Sequence, residues 1–207
     1  MDAFVINLDD RPDRWKTIQK RFRNKGINLR RFTPIQDNNP GYSLFLTTIE
    51  ILKIAKRRKL ANVLIIEDDC LPVSNFSELW EKVKGWLDSH KDNWDIYSGG
   101  AQNIHFPKFV GEAEGVKFYD PLLSTATHFI YIPERSYSKL ISHYDTYKYV
   151  TKVAPILGMD VHNNLFKTII SYPFVAYQDS GYSNITKTRR NLKKTFKEAE
   201  RGLSKVT

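Results

Sequence analysis

The alternation of apolar and polar positions divides the first seventy residues into strands and helices. Apolar runs at 3–8, 27–34 and 61–67 predict three strands. Between them, apolar residues at helical spacing predict one helix that opens with Pro12 and a second over 44–59. The order β-α-β-α-β is typical of parallel strands with helical crossovers. The pattern therefore predicts an α/β fold with a mostly parallel central sheet flanked by helices.

In the second half of the chain, apolar residues again recur at the spacings of helices and strands, apart from one stretch that fits neither. The further elements are helices over 76–90, 133–143 and 159–168, and strands over 94–97 and 127–132. Residues 101–122 are rich in turn residues and predict no regular element. We therefore divide the chain into one domain over 1–186 and a tail over 187–207. The apolar positions of the tail fit one face of a helix: Leu192, Phe196 and Leu203.

Charge is concentrated in that tail. The formal net charge of the chain is +9, and 187–205 carries eight Lys and Arg against two Glu. Such a segment attracts nucleic acid, anionic lipid or acidic glycans, or is a solvated helix face. The sequence has no paired Cys/His spacing and no Gly-aromatic sheet signature, so no nucleic acid partner is expected. Peripheral contact with an anionic membrane through the tail stays an expectation.

Cysteine content and hydropathy bear on location. Cys70 is the only cysteine in the sequence, so no internal disulfide can form and a reducing, cytoplasmic compartment is expected. No apolar run approaches the roughly 18 to 20 residues needed to cross a bilayer. The length of 207 residues and a hydrophobic fraction of 41% suit one domain with a real core.

Three consecutive carboxylates follow the strand over 61–67. An apolar strand buried on both faces runs into Glu67, Asp68 and Asp69, at the kind of strand end where α/β proteins bind ligands. Acids this close repel one another, and a divalent cation such as Mn²⁺ or Mg²⁺, held together with substrate phosphates, would offset the repulsion. The alternative is that the acids cap a turn and face water. The cluster favours an enzyme that handles a phosphorylated substrate.

An ordered set of short motifs resembles the family 25 glycosyltransferases, which include lipopolysaccharide-type and procollagen galactosyltransferases. The matching segments lie, in order, at 5–8 with Arg11, Asp13 and Arg14, at 35–37, 64–69, 94–96, 129–132, 136–140 and 159–160, and at Pro173, Gln178 and 183–185. Two segments depart from the family pattern: 183–185 reads Ser-Asn-Ile in place of Ser-Asp-Ile, a mild change, and 41–46 lacks the Ser-His pair found there. The second departure puts any role of the pair in doubt.

The resemblance implies a single GT-A-type, Rossmann-like domain that uses a nucleotide sugar and Mn²⁺ or Mg²⁺. It implies inverting transfer from a donor such as a UDP-hexose to a hydroxyl of a glycan or glycoprotein acceptor. The physical chemistry of the motif agrees, because a diphosphate leaving group gains negative charge in the transition state and a bound cation stabilises it.

Roles within the acidic cluster follow from strand geometry. Alternate side chains of an extended backbone point the same way, so Glu67 and Asp69 face one side and Asp68 the other. We expect Asp69 to bind the metal directly and Glu67 to contact the ribose or the metal through water. Asp68 would hold the donor-binding loop by accepting backbone hydrogen bonds. His162 is the candidate for a further metal ligand, since imidazole suits Mn²⁺, and His128 is its rival.

Asp160 and two arginines complete the chemistry. Asp160 is either an N-cap or the general base that deprotonates the acceptor hydroxyl. Arg11 and Arg14 follow a strand end and can reach the donor phosphates or the rim of the base with forked donors. The alternative for each arginine is a surface ion pair with Asp10 or Asp13.

The remaining pocket residues are placed by the resemblance and by local chemistry. The backbone of Ile6, Asn7 and Leu8 is expected against the nucleobase, with Asp37 near the ribose. The residues expected to border the sugar or acceptor pocket are Tyr97, Gly99 and Gly100, where glycine permits close backbone approach.

Two other functions compete with glycosyl transfer. A nucleotidyltransferase of related topology would carry a Gly-rich phosphate loop after the first strand, whereas 9–12 reads Asp-Asp-Arg-Pro. A non-catalytic basic module for nucleic acid or membrane would account for the tail but gives no reason for the three acids. The sequence names neither the sugar nor the acceptor.

Overall fold

A computed structural model of the protein describes residues 1–154, 158–183 and 188–206. The elements follow along these residues in the order β1 (Asp2–Ile6), α1 (Pro12–Arg21), β2 (Asn28–Phe32), α2 (Pro40–Arg57), β3 (Asn62–Glu67), β4 (Cys70–Pro72), α3 (Phe76–Ser89), a 3₁₀ turn (Lys91–Asn93), β5 (Ile96–Ser98), β6 (Gln102–Ala113), β7 (Val116–Thr125), β8 (Phe129–Pro133), α4 (Glu134–Val153), α5 (Met159–Asn163), β9 (Thr168–Tyr172), β10 (Ala176–Gln178), β11 (Gly181–Ser183), β12 (Thr188–Arg190) and α6 (Leu192–Leu203).

Eight strands form one sheet in the order β2-β1-β3-β8-β5-β9-β7-β6. β1 pairs in parallel with both β2 and β3, as the β-α-β-α-β pattern predicts. β8 runs antiparallel to β3 and β5, and β7 runs antiparallel to β9 and β6, so the other six strands share one direction. With helices on both faces, the predicted α/β class and mostly parallel sheet are confirmed.

Alternate residues of the central strands enter two different cores, which explains their continuous apolar runs. Val5 and Leu64 pack with α1 and α3 on one face, and Phe4 and Ile65 pack with α2 and α4 on the other. Because both faces of β1 and β3 are covered, polar side chains first become possible where these strands end. The functional residues are concentrated there.

Three segments differ from the sequence prediction, and one of them is α4, which continues to Val153 where a helix over 133–143 was predicted. Residues 101–122, for which no element was predicted, belong to a long hairpin whose strands β6 and β7 meet at Glu114 and Gly115, both with positive φ (51° and 78°). The helix predicted over 159–168 stops at Asn163, because β-branched Ile169 and Ile170 are buried in β9 between β5 and β7.

Helix α6 is built onto the sheet through a third apolar cluster. Leu192, Phe196 and Leu203 are buried, as their spacing predicted. Glu200 fixes the helix further, since its carboxylate accepts hydrogen bonds from the Phe174 backbone N–H (2.8 Å) and the Tyr177 hydroxyl (2.7 Å). The basic segment is thus anchored by its apolar face while its lysines point outward. Within the described part of the chain, every helix is too short or too polar to cross a bilayer.

Candidate functional site

A cavity of about 140 Å³ opens at the carboxyl ends of β1 and β3. One part of its wall is mainly apolar and comes from the end of β1 and the approach to α2; the other part carries the three acids. The lining residues are Ile6, Leu8, Arg14, Pro34, Pro40, Ser43, Leu44, Glu67, Asp68, Asp69 and Gln178. The structure thus brings most of the predicted donor-binding residues together at one site.

Asn7 holds the loop after β1 against the acidic turn. Its buried amide Nδ2 donates to Asp68 Oδ2 (2.8 Å) and to the Arg11 carbonyl (3.1 Å). Its Oδ1 accepts from Arg31 Nε (2.8 Å). Every polar atom of the Asn7 side chain is therefore used to brace the site, and what lines the cavity in this loop is Ile6 and Leu8.

Asp68 is the member of the acidic triplet that is held by hydrogen bonds from two side chains. It accepts from Asn7 and, at 2.8 Å, from Arg14 NH1. Both partners are side chains, whereas the sequence predicted backbone donors. Arg14 thereby forms part of the cavity wall. Arg11 instead makes a forked ion pair with exposed Asp13 (2.9 and 3.0 Å), which is the surface alternative considered above.

Glu67 and Asp69 are held in surroundings that disfavour their charges. Burial and the neighbouring Asp69 raise the pKa of Glu67 to about 8, while Thr127 donates to Glu67 Oε1 (2.7 Å). Burial and the charge of Asp68 raise the pKa of Asp69 to about 6. Gln178 Nε2 donates to Asp69 Oδ2 (3.1 Å), but Asp69 Oδ1 is buried and has no hydrogen-bond partner among the described residues. Arg14 lowers the pKa of Asp69 only in part, so burial and the neighbouring acids dominate at both carboxylates.

A divalent cation fits this donor set. The orphaned Oδ1 of Asp69 and the repulsion between Asp69 and Glu67 are both relieved by a hard cation that prefers oxygen ligands. Among the described residues, no three His, Cys, Asp or Glu side chains are grouped to hold a metal by themselves. The described residues therefore supply at most two carboxylates, and a bound diphosphate and water would supply further ligands.

Neither candidate histidine joins the acidic cluster. The ring nitrogens of His162 pair with His143 Nε2 (3.1 Å) and Thr151 Oγ1 (2.8 Å), and its ring packs on Phe45. His128 is fully buried, faces the Ala176 carbonyl (3.3 Å) and packs edge-on against Phe196. The structure therefore corrects the expectation that His162, or His128 in its place, completes a metal site.

Asp160 lies close to the acidic cluster. It is in the first turn of α5, whose N-cap is Gly158, so the N-cap interpretation of Asp160 is wrong. Its Oδ1 accepts from the Ala126 backbone N–H (2.8 Å), and burial raises its pKa. The charge of Asp160 also raises the pKa of Glu67, which places the two carboxyl groups within electrostatic reach. A carboxyl group whose pKa is raised in this way suits proton transfer.

Tyr97, Gly99 and Gly100 do not border the cavity. Tyr97 is fully buried, with its hydroxyl 2.7 Å from Ser171 Oγ. A Cβ on Gly99 would lie 2.5 Å from the Phe129 ring, and one on Gly100 would lie 2.2 Å from the Ala176 carbonyl oxygen. The two glycines let Val175 and Ala176 approach closely, and none of the three residues lines the described cavity, which corrects that expectation.

Asp37 caps its own loop and does not line the cavity. Its Oδ1 accepts from the Asn39 backbone N–H (2.9 Å). It lies between the cavity-lining residues Pro34 and Pro40, so the predicted proximity to the ribose stays a proposal. Of the resemblance motifs, residues 184–187, which include the end of the closing motif, lie outside the described residues.

Several contributors to the site were not predicted. Pro34, Pro40, Ser43 and Leu44 form much of the apolar wall, and the signal was available in principle because they follow the carboxyl end of β2. Arg21 was also missed: its guanidinium donates to the Cys70 carbonyl (3.2 Å) and forms an ion pair with Asp179. These contacts join residues that are far apart in the sequence, so no local sequence pattern indicates them.

Comparisons with known proteins give similarity in shape alone. No protein-family model matches the sequence, and no curated protein matches it. Among solved structures, A197 from STIV is 12% identical, with 91% of this chain and 92% of that chain covered and a TM-score of 0.46. A glycosyltransferase involved in the glycosylation of the major capsid of PBCV-1 is 8% identical (74% and 68% covered, TM-score 0.45). An apo UDP-glucose pyrophosphorylase is 10% identical (99% and 81% covered, TM-score 0.41). Similarity at this level assigns no activity to the chain.

Proposed function

We propose that the protein is a metal-dependent inverting glycosyltransferase that moves a sugar from a nucleotide sugar, a UDP-hexose, to a hydroxyl of a glycan or glycoprotein. The observation that carries the proposal is the buried Oδ1 of Asp69, with no donor among the described residues, beside Glu67 at the acidic end of a cavity whose other end is mainly apolar. An apolar slot beside a cation-binding cluster matches a donor with a base at one end and a diphosphate at the other.

The two ends of the cavity suit different parts of the donor. The base lies against Leu8, Pro34 and Leu44, with Asp37 close to the ribose, and the diphosphate extends toward Arg14 and the acids. Mn²⁺ or Mg²⁺ held by Asp69, with Glu67 beside it, would neutralise the charge that develops on the leaving diphosphate. Arg14 adds a fixed positive charge from the protein itself and is held in place by Asp68.

Asp160 acts as the general base. The acceptor hydroxyl attacks the anomeric carbon, the bond from that carbon to the diphosphate oxygen breaks, and the hydroxyl proton passes to Asp160. One in-line displacement inverts the anomeric configuration. The Ala126 N–H bond leaves the second oxygen of Asp160 available for the proton, and burial raises its pKa toward the range useful for a base.

A thermal-shift panel with UDP, UDP-glucose and UDP-galactose, with and without Mn²⁺, tests donor binding. We expect a UDP nucleotide to raise the Tm only when Mn²⁺ is present, and released UDP to report turnover. Asp160→Asn should keep the Ala126 contact and donor binding but lose transfer. Normal turnover in that variant removes Asp160 as base. Pyrophosphate release from UTP and a sugar phosphate would instead identify a nucleotidyltransferase.

The outward face of α6 is proposed to contact an anionic membrane. Lys193, Lys197 and Arg201 recur every four residues along this exposed face, while the apolar face is occupied inside the protein. Each basic residue near an anionic surface contributes about 1 kcal/mol. Binding to vesicles with 30% anionic lipid, lost in 0.5 M salt, is the expected result. Binding to a DNA or RNA oligonucleotide with no binding to vesicles would contradict it.

A further inference from the structure

Helix α5, which carries Asp160, has only five residues. A helix this short has almost no stability of its own, so its orientation must be set by contacts with its surroundings. Those contacts include the packing of His162 on Phe45 of α2, and side-chain hydrogen bonds to helix α4 on one side and to strand β7 with the residues after it on the other.

On the α4 side, three polar residues meet two from α5. His162 Nε2 lies 2.8 Å from Thr151 Oγ1, and His162 Nδ1 lies 3.1 Å from His143 Nε2. Tyr144 donates its hydroxyl hydrogen to Asn163 Oδ1 at 2.8 Å. We name these five residues the α4–α5 polar bridge. His162, Tyr144 and Thr151 are buried, so the Thr151 and Tyr144 bonds are shielded from water, whereas the His143 bond is half-buried.

One tautomer of His162 is compatible with all the bonds of the bridge. With Thr151 donating its hydroxyl hydrogen to the Tyr147 carbonyl (3.0 Å), His162 satisfies both neighbours when Nε2 donates to Thr151 Oγ1 and Nδ1 accepts from His143 Nε2. A flip of the ring would break both bonds.

On the β7 side, the chain beside α5 is held equally firmly. The Asn164 amide accepts from the Ser124 N–H and donates to the Ser124 carbonyl, both at 3.0 Å. Two residues after Ser124, the Ala126 N–H meets Asp160 itself. Asp160 is thus positioned by contacts on both sides of α5. If the contacts on one side are removed, α5 can rotate about those on the other side.

We propose that the α4–α5 polar bridge positions Asp160 for proton transfer, with His162 and Thr151 as positioning residues that touch neither donor nor acceptor. This inference rests on the proposed function. It also gives His162 a role within the site that replaces the metal ligation expected from the sequence.

Thr151 offers a matched set of variants. Thr151→Val removes the hydroxyl with little change in shape, Thr151→Ser restores it, and Thr146→Val is the control. The Thr146 hydroxyl bonds to its own helix at the Ser142 carbonyl (2.8 Å), as that of Thr151 does to Tyr147, but it is exposed and makes no contact with α5. Loss of one buried hydrogen bond corresponds to roughly a twofold to tenfold change in an equilibrium.

We expect Thr151→Val to lower kcat roughly twofold to tenfold with the KM for the nucleotide sugar within twofold of wild type. Thr151→Ser and Thr146→Val should both retain wild-type kcat. In the free protein, the amides of His162 and Asn164, which close α5 onto Gly158 and Asp160, should exchange faster with deuterium in Thr151→Val alone.

Unchanged kcat, unchanged exchange in α5, or an equal loss in Thr151→Ser overturns the inference. Failure of the proposed function has a different signature, since the wild type itself would then neither bind UDP with Mn²⁺ nor turn over a nucleotide sugar. In that case Asp160 is no base, and the exchange rates still decide whether the bridge fixes α5.

Discussion

Replacing Asp69 by asparagine should make the metal-free protein more stable. Asp69 Oδ1 is buried without a partner in the described part of the chain, and burial with the charge of Asp68 raises the pKa from 3.8 to about 6. A difference of about 2 pKa units corresponds to about 3 kcal/mol between the charged and neutral forms. Asparagine carries no charge and can keep the Gln178 contact through its carbonyl oxygen.

The sign of the pH dependence follows from the direction of the shift. A carboxyl group whose pKa is higher in the folded state favours folding below its unfolded pKa, near 4, and loses that contribution as the pH rises through about 6. At pH 7.5 the wild type carries the full penalty and Asp69→Asn does not. The stability difference should therefore be about 3 kcal/mol at pH 7.5 and vanish near pH 4.

Urea unfolding in EDTA, followed by circular dichroism at pH 7.5 and pH 4.0, measures this difference. Asp13→Asn is the control, because the same chemical change then falls on an exposed carboxylate whose pKa is lowered by Arg11. Repeating the pH 7.5 experiment with Mn²⁺ and UDP should stabilise the wild type and leave Asp69→Asn unmoved. A variant less stable than wild type in EDTA, or stabilised equally by Mn²⁺ and UDP, would refute the reasoning.

Three further predictions address the fold and the donor. Phe196→Ala should lower the free energy of unfolding by about 3–5 kcal/mol, against less than about 0.5 for exposed Lys197→Ala, because Phe196 is fully buried; equal urea midpoints would mean that α6 is dispensable. Gly100→Ala should lower the Tm, since its Cβ meets the Ala176 carbonyl oxygen at 2.2 Å. Arg14→Ala should weaken UDP binding with Mn²⁺ roughly tenfold or more in calorimetry, and unchanged affinity would remove Arg14 from the diphosphate site.

Much of the fold could be predicted because local patterns determine it. The strands around Val5 and Leu64 are buried on both faces, and their unbroken apolar runs are visible without any structure. The hairpin of β6 and β7 could not be found in the same way. Its strands alternate irregularly because Phe106 and Leu122 are exposed and the register shifts after Gln102 and Phe109.

The candidate site likewise has a part that could be predicted from the sequence and a part that could not. Glu67, Asp68 and Asp69 follow a strand end, so their location could be inferred from the sequence order alone. That His162 pairs with Thr151 while Gln178 contacts Asp69 could not be inferred from the sequence. Each contact depends on which side chains the fold brings together from separate parts of the chain. Glycines are equally ambiguous in sequence: at Gly99 and Gly100 close approach serves the packing of Val175 and Ala176, and neither glycine lines the described cavity.

The contacts of the acidic turn have a consequence for how the protein acquires its binding capacity. Asp69 is oriented by Gln178, 109 positions away, and the turn is tied through Arg21 to Asp179, which is 158 positions from that arginine. Contacts between such distant segments close long loops and cannot form before residues 178 and 179 are in place. A nascent or partly unfolded chain can therefore present the acids but not their bound geometry. Donor affinity should report completed folding, and the donor should in turn protect the whole chain from proteolysis.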